Sequence, residues 1–236
     1  MNRSSSAALL TAALLSASLA SFSGCERKQE QVAPAPAQLS VELRIAPVAD
    51  AHPWVMALVT QTSITRPHGV DARLEGLVGA GGTRSPDPII EAESLEDLQA
   101  WLDSYEAMRP RPPELLPVWE LDPFGPDNRV HARLYFLATE RGFMVDAEAR
   151  ARVEPHDYGP RVHLQLGAAQ AKQLEELSGE LIGHRLGVVM GQEALMLPLV
   201  MDPLVGGEVQ LLWQTSRDPE RSAPELLAKL TGERPG

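Results

Sequence analysis

The sequence predicts an α+β fold in which a mixed or antiparallel sheet carries packed helices. Two kinds of segment predict it. Residues 40–47 (SVELRIAP) alternate Val41, Leu43 and Ile45 with polar neighbours, the pattern of a half-buried strand. Residues 94–108 and 168–182 instead repeat their apolar positions at helical spacing. The two kinds follow one another with neither a regular βαβ order nor an internal repeat, which sets the class as α+β. The 236 residues are 44% hydrophobic, enough to bury a core and too apolar for a disordered chain. One cysteine excludes a disulfide scaffold and a cysteine-based metal site. A net charge of -11, with no basic stretch interleaved with aromatics, sets nucleic acid aside as a partner.

In chain order, residues 1–24 read as a secretory signal peptide. A positive start at Arg3 precedes a short small-and-apolar run and then Ser23-Gly24. The following FSGC resembles the bacterial lipobox, which implies a lipid on Cys25 and a new N-terminus there. Phe22 replaces the usual Leu of that pattern. Residues 25–38 are polar, then rich in Pro and Ala, and read as an extended tether. Glu26 is not the Asp that retains such lipoproteins at the inner membrane, so the same resemblance implies the outer membrane.

Residues 39–110 read as a smaller strand-rich lobe and 111–236 as a second domain. After 40–47, residues 54–65 and 70–78 are expected as strands, and the Gly- and Pro-rich 79–88 as a loop. Ser94 and Asp97 form a capping box that opens a helix to about Met108, with Leu95, Leu98, Leu102 and Tyr105 as its stripe. Residues 109–117 connect. Strands are expected at 130–138 and in a pair at 151–157 and 160–166, before the helix 168–182. LGVVMGQEALMLPLVMDPLV (186–205) is broken by Glu193, Pro198, Asp202 and Pro203. It therefore reads as a hairpin turning at Gly191 rather than a membrane span. A last helix is expected at 224–230.

No catalytic series is present. The six histidines, His131 and His163 among them, make no close ligand pair, and GLVGAGGT lacks the Lys of a phosphate-binding loop. No cofactor, metal ion or enzymatic activity is expected; distant carboxylates or histidines meeting in space are the remaining route to an enzyme. Three methionines, Met190, Met196 and Met201, fall in the one hairpin. With Leu197 they are the candidate polypeptide-binding residues, because methionine adapts to varied apolar partners. The competing reading is that they fill the core. Trp54, Trp101, Trp119 and Trp213 are too dispersed for a platform.

Residues 160–207 resemble the head subdomain of the first periplasmic domain of the SecD and SecDF protein-export family. The resemblance rests on an ungapped series: Ala171, Lys172 and Leu174 in a helix, Leu177-Ser178, Gly183, the strand 186–190, then Pro198-Leu199-Val200 and Gly206-Gly207. Flanking segments extend it over roughly 115–236. Gly191-Gln192 replaces the family's Asp-Gly turn, and Met196 and Leu197 replace small residues. The resemblance implies that Gly183, Pro198, Gly206 and Gly207 set backbone shape. Together with the lipobox it implies a non-catalytic, lipid-anchored envelope protein that binds exported polypeptides or Sec or envelope proteins as an export accessory. The chain ends at Gly236, where SecD would enter its transmembrane bundle, so proton-driven transport is not expected. The alternative is a structural envelope adaptor unrelated to Sec.

Overall fold

The structure, a computed structural model, describes residues 35–65, 67, 69–79, 82, 84–122, 131–157, 159–211 and 219–233. The expected leader 1–24, Cys25, the tether up to residue 34, His68 and Trp213 lie outside the described residues. The architecture is α+β. Twelve strands and four helices are described: β1 (Ala37–Gln38), β2 (Leu43–Pro47), α1 (Pro53–Thr65), β3 (Val70–Val78), β4 (Arg84–Ala92), α2 (Leu95–Met108), β5 (Leu115–Asp122) and β6 (His131–Ala138), then β7 (Phe143–Met144), β8 (Arg150–Glu154), β9 (Arg161–Gln165), α3 (Ala168–Glu180), β10 (Leu186–Met190), β11 (Glu193–Met196), β12 (Glu208–Leu211) and α4 (Pro219–Thr231). None of these helices is long and apolar enough to cross a membrane.

Two segments differ most from expectation, and residues 115–117, expected to connect, instead open β5. Residues 54–65 are helix α1, not a strand. Pro53 occupies the first helical position, where its missing N–H costs nothing, and His52 Nδ1 accepts from the Trp54 N–H (3.2 Å). Trp54, Val55, Leu58, Val59 and Thr62 are buried, which is helical spacing. Residues 79–88 are not all loop, since β4 begins at Arg84 and runs through Pro86 and Pro88. β4 pairs with β6 only at Glu91 and Ala92, so over Pro86 and Pro88 no ladder bond to β6 needs a proline N–H. A further difference is small. Ala37 and Gln38, the end of the expected tether, form β1 and pair with β8.

The strands make a four-stranded sheet, β1-β8-β9-β12, and an eight-stranded sheet, β3-β4-β6-β5-β11-β10-β2-β7. The larger sheet takes strands from both 39–110 and 111–236, with β2 lying between β10 and β7. It also closes on itself. Beyond β2, Val48 bridges Leu137 and the Ala49 N–H donates to the Phe136 carbonyl (2.7 Å), so β2, β10, β11, β5 and β6 enclose a small barrel. Ala46, Val48, Val118, Leu137, Val189 and Ala194 fill its interior.

Two further cores lie outside the barrel. α1 and α2 pack Leu58, Leu98 and Leu102 onto Ile90, Leu134 and Phe136. α3 and α4 place Leu174, Leu226 and Leu230 in one cluster with Leu43, Ile45 and Leu164. Each such leucine contributes about 1.5–3 kcal/mol by its removal from water.

Candidate polypeptide-binding site

α3 turns its buried face, Leu174, Leu177 and Ser178, into the core and ends as the Leu181 N–H returns to the Ser178 carbonyl. The chain after it runs beside the end of the β10–β11 hairpin. Gly183 N–H donates to the Val200 carbonyl (2.8 Å), Val200 N–H to His184 (2.9 Å) and Leu186 N–H to Pro198 (3.0 Å). Gly191 turns that hairpin at φ +60°, the left-handed backbone its first turn position needs.

The segment from Met201 to Gly207 is then tied back to α3 and β9. Leu204 N–H donates to Ser178 Oγ (2.8 Å), Gln165 Nε2 to the Gly206 carbonyl (3.1 Å) and Leu166 N–H to the Gly207 carbonyl (2.9 Å). Gly207 has φ +70°, and a Cβ built on it would run into Ala171. Held at both ends, the segment exposes apolar side chains: Met201 is 48% exposed and Val205 66%. Ile182, 44% exposed, is brought alongside by the Gly183–Val200 bond.

The expected residues are placed unequally. Gly183, Pro198, Gly206 and Gly207 all serve this one fastening. Met190 and Met196 are half-buried against the core shared by α3 and α4, and Leu197 packs on the barrel core. Of the four candidate binding residues, only Met201 is exposed; Ile182 and Val205 join it. An apolar residue after a helix end and another before a Gly-Gly pair were the available signals for these two.

Two charged clusters also form. At the barrel, Arg185 pairs bidentately with Asp87, lies 3.9 Å from Asp50 and stacks over the Tyr135 ring at 5.5 Å. Burial pushes the Asp50 carboxyl up, Arg185 offsets part of that and Asp87 adds to it, giving about 7. On the four-stranded sheet, His163 is buried, with Nδ1 2.6 Å from Glu208 and Nε2 3.2 Å from Glu154. The ligand atoms of these three residues lie within 4.8 Å of one another. Arg152, however, pairs with Glu154 and lies 3.7 Å from Glu208, so one cation of the chain already offsets part of the charge of the two carboxylates. The two carboxylates also meet opposite nitrogens of the ring. The group is an ion network on a sheet face.

No protein-family model and no curated protein matches the sequence. Two solved structures are similar. One is a crystal structure of SecDF in a super-membrane-facing form, 16% identical with a TM-score of 0.33, covering 84% of this chain and 28% of that one. The other is a SecDF described as a membrane component that enhances protein export. It is 14% identical with a TM-score of 0.31, covering 82% of this chain and 94% of that one. The chain therefore spans about 28% of the length of the first of these SecDF chains.

Proposed function

We propose that this chain is a non-catalytic, lipid-anchored envelope protein that binds polypeptides through Ile182, Met201 and Val205, as an accessory to protein export. The observation that carries the reading is an apolar surface segment fastened at both ends. A segment already held in place loses little conformational entropy when a partner docks, so exposed apolar area there converts to affinity more fully than on a free loop. The ordered sequence resemblance of residues 160–207 to the SecD head supports export as the process. Lipidation of Cys25 and the tether that follows would hold the module against the periplasmic side of the outer membrane.

The test is photo-crosslinking in cells, with probes at Met201 and Val205 and a control probe at the exposed Glu140. Adducts identified by mass spectrometry as exported polypeptides or Sec components, lost with Val205→Asp in the Met201 probe strain, are expected. Adducts with resident envelope proteins alone would overturn the export reading in favour of a structural adaptor. Equal capture at Glu140 would remove the site.

A further inference from the structure

Among the described residues β3 is the outermost strand of the eight-stranded sheet, and β4 alone pairs with it. The register shows which of its backbone groups are left over. Leu74 stands opposite Pro88 and Gly76 opposite Pro86. Proline has no N–H, so neither can be a pair that exchanges two hydrogen bonds. The exchanging pairs are the intervening ones: Asp71, Arg73, Glu75 and Leu77 with Glu91, Ile89, Asp87 and Ser85. The N–H and C=O of Ala72, Leu74, Gly76 and Val78 therefore point away from β4. Val70 has the same parity, and its N–H donates to the Pro67 carbonyl rather than to β4 (3.3 Å). On β4 the same alternation puts Pro86 and Pro88 on the outer side. The hairpin thus has one edge blunted by proline and one open edge.

The side chains of the open edge divide by face. Leu74 and Val78, 51% and 60% exposed, share a face with the buried Val70 and Ala72. Asp71, Arg73 and Glu75 hold the other face, where Arg73 pairs with both carboxylates and with Glu91. A groove between the end of α1, at Thr62 and Ser63, and the first half of β3 runs along the apolar face.

This edge is complementary to itself. Set antiparallel to a second copy about Leu74, it places Leu74 against Leu74, Ala72 against Gly76 and Val70 against Val78 on the apolar face. On the charged face Arg73 meets Glu75 of the second copy, and the two-fold repeats the pair. Moving the centre by one residue, to Arg73 or Glu75, sets like charges directly opposite each other. We infer that β3 is a dimerisation edge, at which two copies of this chain join antiparallel about Leu74 and continue one sheet into the other. The exposed Leu74 and Val78 are then covered, with Val78 of the second copy lying along the groove beside α1.

Sedimentation equilibrium of the full chain in detergent tests the assembly. Twice the chain mass is expected, and a single chain mass at every concentration overturns the inference. Leu74→Pro places on β3 the block that Pro86 and Pro88 place on β4, and the N–H it removes does not face β4. It should halve the assembled mass with circular dichroism unchanged; a dimer that persists uses another surface and overturns the assignment. Register is read by oxidative cross-linking, with the parental chain and its lone Cys25 as background. Leu74→Cys meets its twin at a Cα separation of about 5.5 Å, which a disulfide spans. Ala72→Cys is offset from its twin by roughly 14 Å along the strand and should not close. Equal cross-linking of the two variants, or Leu74→Cys adducts only with other proteins, sinks the inference.

Discussion

Asp50 is the residue whose surroundings most change its chemistry. It is buried where Arg185 is already held by Asp87, and burial raises its carboxyl from 3.8 to about 7. A carboxyl raised in this way binds its proton more tightly in the folded chain than in the unfolded one. Its contribution to stability is therefore complete below about pH 3.8 and is lost as the pH rises through about 7. Asp50→Asn is neutral throughout. It is expected to be more stable than the parent at pH 8, by on the order of 2–4 kcal/mol, with the gap closing towards pH 4. Urea unfolding of both chains at pH 5 and pH 8 checks this, and a gap that is the same at both values contradicts it. None of this was legible in the sequence. Asp50, Asp87, Tyr135 and Arg185 come from four separated segments, and only the closing of the barrel makes them neighbours.

At the scale of elements, legibility followed local physics. The α2 N-cap formed as the sequence predicts, with Ser94 Oγ accepting from the Asp97 N–H (3.1 Å), while the Asp97 carboxylate accepts from the Ser94 hydroxyl (2.7 Å). The 168–182 helix and the hairpin about Gly191 also formed, because periodicity and a turn glycine are local signals. α1 reads as a strand in the sequence because Val, Thr and Ile dominate it, and such residues are stiff at χ1 and favour strands. Its threonines instead fold back on the helix, Thr60 Oγ1 donating to the Met56 carbonyl and Thr62 Oγ1 to that of Leu58. Pro53, at the first helical position, is the helix signal that the sequence carries. β4 hid behind its prolines for the reason already given by its register.

The Gly-Gly pair offers a test at this scale. Gly207→Ala meets both a left-handed backbone and the Ala171 side chain, and should cost about 2–4 kcal/mol. Gly206→Ala has open space around its new Cβ and should cost only about 1 kcal/mol, from φ alone. Thermal unfolding of the two variants gives the ranking. Equal losses would mean that the approach to Ala171 does not tie the Met201–Gly207 segment down.

The whole molecule was the least legible, because strand order is set by long-range pairing. Nothing in residues 40–47 says that they will lie between β10 and β7, or that the next residue will reach β6. The outcome is a barrel of unequal joints. β5 pairs eight residues with β6, and β10 pairs five with β2. By contrast, β11 meets β5 at the single pair Glu193–Trp119, supported by the Trp119 N–H to Gln192 bond, and the other joint is the Val48–Leu137 bridge with the Ala49 N–H to Phe136 bond. Opening costs least where fewest bonds break, so the barrel is expected to open as two leaves, β2-β10-β11 and β5-β6. Deuterium should enter the Trp119 and Ala49 amides ahead of those inside the β5–β6 ladder. Arg185 rides at the start of β10 on one leaf, while Asp87 sits on β4, which is joined to β6 on the other. Their ion pair is then a latch across the seam. Asp87→Asn should quicken exchange at Trp119 and Ala49 while leaving the α2 amides near their original rates.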